Sequence, residues 1–341
     1  MAGRAASLAP VTWRDGIHVT GTSIWCDALR TRDVCFVSSA DAVANARHAQ
    51  LVATADTLAL LGAPASASGT RLPVPYHRPF TLGTVRLELL PSGHGLGGAS
   101  LLLEVDGARV LYCNDICPQG GGLGGVAESR PCDALVLGAH YGEPGYRFPE
   151  VAELLPRVAD FVQETTSVGA AAVLLVGSAS KCLDVASRLT DALNQRMPDG
   201  VGPTFFAHRS LHEPAQRLRA DRPGLPRLRR YPGRMPAGHI LFWPIARRAR
   251  LPADDGVRVA LVSGSAMDEV ARARLQADVA FPWSDRADHP ALMGFIDACR
   301  PREIFLTGAH AESMGAQLSR AKRPVHALVA PRQIELFRAH T

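Results

Sequence analysis

Ten arginines fall between residues 217 and 250 (217, 219, 222, 227, 229, 230, 234, 247, 248 and 250), with Asp221 the one acid among them. Guanidinium forks match phosphate oxygens, and Tyr231, Phe242 and Trp243 supply rings on which bases would stack. Two interpretations stand: a solvated, proline-rich surface loop, or a phosphate-contacting strip for nucleic acid. In the second, Arg217, Arg219, Arg227, Arg229, Arg230 and Arg234 make the contacts.

Glycine loops are the other common phosphate cradles, and three segments imitate one. Gly93-x-Gly95-x-x-Gly98 has the dinucleotide spacing, but the pattern places a strand after it, where a helix N-terminus is needed to hold a pyrophosphate. Gly120-x-Gly122-x-x-Gly125 leads into a polar loop, and Gly177-Ser178-Ala179-Ser180-Lys181 lacks the glycine before its lysine. None implies a nucleotide cofactor. The seven cysteines are odd in number and irregularly spaced, which suits small core residues in a reducing compartment. A net charge of +5 favours acidic partners without requiring them.

These residues need elements to hold them. The pattern predicts a hairpin over 16–19 and 23–27, a buried strand from Val34, a helix from about Asp41 to His48, and a short helix opened by Thr54. Hairpin strands follow over 85–90, 100–105 and 109–113, then a buried strand over 134–137. From about Pro149 helices and strands alternate: helix to Thr166, strand 171–176, helix 180–194, strand 204–207, helix 213–220, strand 257–263 and a helix starting at Ser265-x-x-Asp268. A helix to Cys299, a strand 303–307, a helix 311–319, a strand 325–329 and a last helix from Pro331 close the chain. No apolar run is long enough to span a bilayer and no signal core follows the N-terminus, so a cytoplasmic protein without membrane contact is expected.

Ordered along this frame are Ala53-Thr54-x-x-Thr57, Gly93-His94-x-Leu96-Gly97, Asp115, Cys132-Asp133, Tyr141-Gly142-x-Pro144-x-Tyr146-Arg147-x-Pro149, Ser263-Gly264 and Ser284-Asp285-x-Ala287-Asp288. In type and order they resemble the β-CASP branch of the metallo-β-lactamase fold, in particular DNA ligase-associated exonucleases and mRNA 3′-end processing nucleases. The resemblance implies an α/β fold: an αββα sandwich built from residues 1–155 and 281–341, with a β-CASP-like α/β domain inserted at 156–280.

Such enzymes seat two metal ions on a His-x-His-x-Asp-His motif, whose four positions fall here on Ser39, Asp41, Val43 and Ala44. Gly138 stands where the family has an acid, and Arg286 and Gly308 where it has histidines; His310 lies two residues beyond. The resemblance therefore implies a catalytically degenerate protein that binds nucleic acid or a partner, such as a DNA ligase or an active nuclease. It leaves Asp41, His94 and Asp115 as residual ligands for at most one divalent ion, zinc or manganese. Each has a plainer role available: Asp41 as a helix N-cap, His94 bonded to backbone in its glycine turn, Asp115 capping a loop. The alternatives to a dead, nucleic-acid-binding protein are a single-metal phosphodiester hydrolase using those three residues and a structural protein with no nucleic-acid contact.

Overall fold

A computed structural model describes residues 10–42, 47–63, 69–120, 122–196, 203–234, 237–252 and 256–328. Val43, Ala44 and the helix expected from Pro331 lie outside them. Of the helix expected over 41–48, the described ends are a turn at 41–42 and irregular chain at 47–48.

The first sheet takes its strands in chain order: β1 (Val11–Trp13), β2 (Ile17–Val19), β3 (Ile24–Cys26), β4 (Val34–Phe36), β5 (Gln50–Ala53) and, after helix α1 (Ala55–Leu61), β6 (Thr70–Pro73). Thr54 caps α1, its Oγ1 accepting from Thr57 N at 3.2 Å. The second sheet begins with β7 (Phe80–Leu82), β8 (Val85–Pro91), β9 (Ala99–Val105), β10 (Ala108–Cys113) and β11 (Ala134–Gly138). Its alternating apolar residues divide between two faces, as a period of two requires. Leu101, Leu103, Val110, Tyr112 and Val136 meet Ile24, Phe36 and Val52 of the first sheet. Leu102, Leu111, Leu135 and Leu137 point the other way, into a second core.

A third sheet interrupts this pair. After helix α2 (Val151–Ser167) come β12 (Ala171–Val176), α3 (Ala179–Asn194), β13 (Phe205–Ala207), α4 (Arg209–Asp221), β14 (Leu228–Arg230), β15 (Ile240–Pro244), β16 (Val257–Val262), α5 (Glu269–Leu275) and β17 (Val279–Phe281). The strands are parallel in the order β14-β13-β15-β12-β16-β17. Both faces of the sheet are covered, so β12 reads AAVLLV and is buried throughout. The chain then returns to the second sheet with α6 (His289–Cys299), β18 (Glu303–Thr307), α7 (Ala311–Arg320) and β19 (Val325–Ala327). Leu292 and Ile296 of α6 and Met314 and Leu318 of α7 fill the second core. Helices thus cover the outer face of this sheet, while Leu58 and Leu61 of α1 pack on the outer face of the first. The α/β class stands.

Two expectations need correction. Residues 217–250 are not one surface loop, because they contain β14 and β15, and Phe242 and Trp243 of β15 are buried in the sheet, where no base can stack on them. Nor does Ser265 open a helix: a 3-10 turn runs Gly264–Met267, and Asp268 caps α5 by accepting from Val270 N at 2.8 Å.

Candidate metal centre

Several loops end at one place. Asp41 follows β4, His94 lies between β8 and β9, Asp115 follows β10, His140 follows β11, and Asp285 and Arg286 follow β17. Carboxyl ends of strands are where α/β proteins gather chemistry, since there side chains from distant segments converge on a rigid base. Each loop is fastened. Asp27, in the left-handed region at φ 46°, accepts from Ser38 N at 2.8 Å and Ser38 Oγ at 2.6 Å, fixing the chain that leads to Asp41. Ser39 does not point to a ligand: its Oγ accepts from Ala42 N at 3.1 Å and caps the turn itself. The His94 loop is tied down through Gly97 O, which accepts from Thr54 Oγ1 and Thr57 Oγ1, and through Leu96 N, which donates to Ser180 Oγ of α3 at 2.6 Å.

His94 is buried, and its Nδ1 lies 3.0 Å from the backbone oxygen of Asp285. That bond fixes the ring and leaves Nε2 aimed at carboxylates: 3.3 Å from Asp41 Oδ2 and 3.7 Å from Asp115 Oδ2, without a well-directed hydrogen bond to either. Asp41, His94 and Asp285 place one ligand atom each within 4.8 Å of one another. The Asp285 carboxylate comes nearest to the ring at Nδ1, Oδ2 lying 3.8 Å from it, while Asp41 faces the unsatisfied Nε2. One nitrogen and two oxygens gathered in this way are a donor set that a single divalent ion such as zinc or manganese accepts. Asp41 and His94 were expected in this role, whereas Asp285 was quoted only as part of a motif.

Asp115 lies beside this group but is otherwise engaged. Arg286 donates through Nε to Oδ1 at 2.5 Å and through Nη2 to Oδ2 at 3.1 Å, a two-point fork on a carboxylate that is 5% exposed. His140 Nε2 sits 3.1 Å from the same Oδ1. Sequence reasoning passed over His140, for no motif marks it. The other positions that the resemblance gives are closed. A Cβ on Gly138 would lie 1.7 Å from Asn114 O, so no acid fits there, and Gly308 takes a left-handed φ of 88°. His310 is turned aside, with Nδ1 3.1 Å from Glu143 Oε1 and its ring against Tyr146.

Charge in the cluster is nearly balanced without an ion. Burial alone would push the His94 imidazole down, but Asp115, Asp285 and Asp41 outweigh it and raise it to about 9. At neutral pH His94 is therefore a cation, and an ion on Nε2 must displace that proton. Burial likewise opposes ionisation of Asp115 and Asp285, yet Arg286 and His94 hold Asp115 well below the usual carboxylate range, and His94 and Lys181 lower Asp285. Lys181 is itself buried, its Nζ 4.9 Å from the Trp283 ring centroid and without a hydrogen-bond partner.

Asp41 also lines a cleft of about 320 Å³. Its far wall is the first turn of α3 (Ser178, Ser180), the start of α4 (Ser210, Leu211) and Arg247. Of the arginines expected to touch phosphate, Arg217 reaches α1: its Nε donates to Ala59 O at 3.0 Å and its Nη2 to Leu60 O at 2.7 Å. Arg219 donates to Leu225 O. Arg227, Arg229, Arg230 and Arg234 are exposed, the middle two on β14, the edge strand of the third sheet.

No protein-family model matches the chain. Over 333 residues it is 26% identical to a protein of Opitutus terrae named "Probable DNA ligase", a likeness covering 96% of this chain and 32% of that protein. The chain thus spans about a third of the length of the relative it matches. Among the described residues no helix is long and apolar enough to cross a membrane.

Proposed function

We propose that this chain is a nucleic-acid-binding protein on a metallo-β-lactamase-like sandwich, residues 1–155 and 281–341, carrying a β-CASP-like unit at 156–280, with the two-metal nuclease chemistry of that family lost. The observation that carries this is the fork of Arg286 on Asp115. In the family that the chain resembles the two ions share a bridging aspartate, and the residue that the resemblance gives for it, Asp115, has both oxygens taken by a guanidinium. What remains is one ion position at Asp41, His94 and Asp285. The likeness to a protein named for DNA ligation supports a DNA-related task, with a ligase or an active nuclease as partner. Exposed Arg227, Arg229, Arg230 and Arg234 supply the phosphate contacts.

Fluorescence anisotropy with a labelled single-stranded DNA oligonucleotide tests this. Binding is expected at low salt, falling by roughly 10³ between about 50 and 200 mM salt if some six phosphates are contacted, with no cleavage in added zinc or manganese. Absence of binding at low salt would leave an interaction-only protein. A second possibility follows from the opening of the Asp41 side of the ion position onto the cleft: a single-ion phosphodiester hydrolase. Metal-dependent cleavage that disappears in D285N would establish it in place of the first.

A further inference from the structure

We propose that Arg286 is a resident counter-cation that withholds Asp115 from the ion position and thereby keeps divalent-ion binding weak. The inference rests on the Asp41, His94 and Asp285 group as an ion position. It goes further in assigning a residue that governs how tightly that position works.

The argument is one of competing claims on one carboxylate. Asp115 Oδ2 is 3.7 Å from His94 Nε2, so a modest rotation would bring it to an ion held on that nitrogen. It would be a fourth donor, and four is the number at which a zinc site closes. Arg286 prevents this by taking both oxygens. A guanidinium does not give up its proton at any working pH, so, unlike His94, Arg286 cannot be neutralised to make room. Its placement is fixed by a tight local turn. Ser284 Oγ donates to Arg286 O and accepts from Arg286 N, both at 3.0 Å, and this sets Asp285 and Arg286 side by side on one short loop. The same three-residue turn therefore delivers a ligand and the cation that competes with the ion.

One feature separates this role from that of a structural clamp. Removing Arg286 leaves the buried Asp115 carboxylate to His140 and His94 alone of its present neighbours, which destabilises the fold; a clamp would show that loss and nothing else. A counter-cation, once removed, should also leave a site that zinc fills more tightly, because Asp115 becomes available and one repelling charge is gone.

The test is isothermal titration of the full chain with zinc alone, beside thermal unfolding with and without zinc. R286Q is expected to bind zinc at least tenfold more tightly than wild type, to unfold at a lower temperature than wild type without zinc, and to gain more from zinc. R286Q/D115N, which removes both partners and leaves no unpaired charge, is expected to return to wild-type zinc affinity. D285N should weaken zinc binding in either background. If R286Q binds zinc no better than wild type, or if the gain persists in R286Q/D115N, the proposal is overturned. Should R286Q not fold, R286K, which keeps the charge but loses the fork, must bind zinc more tightly than wild type and less so with D115N. Oligonucleotide binding needs none of these changes in zinc affinity, so the proposed function fails or stands separately.

Discussion

Asp27 follows β3, the neighbour of β4, and its carboxylate accepts from Ser38 N, Ser38 Oγ and Tyr112 OH. Burial pushes it up to about 6 in spite of these bonds, which favour the ionised form. The unfolded chain ionises near 3.8, so the folded protein binds the extra proton between the two values. Stability from this group is full below the lower value, falls as pH rises through about 6, and is level above it. A shift of about two units amounts to up to roughly 3 kcal/mol. Urea unfolding across this range should show wild type losing stability relative to D27N as pH rises; a difference that stays constant with pH would rule the titration out. Single residues also show how far sequence reaches. His94 could be picked out because it stands in a short local signature, Gly93-His94-x-Leu96-Gly97, and Asp41 because the resemblance gives its position as that of a ligand. Asp285 and His140 join the cluster only when the chain closes its second sheet, and Arg286, visible as a departure from the family pattern, discloses its partner only in the fold.

On the scale of elements, the arginines separate by what lies under them. Arg217 projects from α4 onto the last carbonyls of α1, where a side-chain cation satisfies groups that the helix leaves open. R217A is expected to cost about 1–2 kcal/mol of stability and to leave oligonucleotide affinity nearly unchanged, read by denaturant unfolding and anisotropy. Replacing Arg227, Arg229 and Arg230 together by alanine should do the reverse: stability holds, while the slope of log affinity against log salt flattens by up to about three contacts. An unchanged slope would make β14 simply a charged edge strand, protected against pairing with other sheets. Strands such as Ala171–Val176 and Glu303–Thr307 were legible to the residue, because compact apolar runs there meet clear boundaries. Strand β15 was not, since its five residues are flanked by arginines, prolines and glycine whose charge and turn character dominate the local pattern.

Across the whole molecule, polar fastenings between the third sheet's unit and the two-sheet body include, among the described residues, Arg217 on α1, Arg222 on Asp56 with Nη2 2.6 Å from Oδ2, Leu96 N on Ser180 Oγ and Leu123 N on Asp184 Oδ1. Between them runs the cleft, and Asp41 belongs to both its wall and the proposed ion position. A phosphate lying there would face an ion on Asp41 from one side and Arg247 from the other. Ion and oligonucleotide should therefore bind cooperatively, and linkage requires the effect to be reciprocal: whatever factor zinc adds to oligonucleotide affinity, the oligonucleotide adds to zinc affinity. A factor on the order of ten, about 1.4 kcal/mol, is expected for one added ion–phosphate contact. Anisotropy titrations with and without saturating zinc give one side of the cycle, and zinc calorimetry with and without oligonucleotide gives the other. In D41N both should fall towards one, while the salt slope set by Arg227, Arg229 and Arg230 remains. Coupling that survives D41N would place the nucleic acid away from the cleft, and equal affinities with and without zinc in wild type would separate the ion position from nucleic-acid binding altogether.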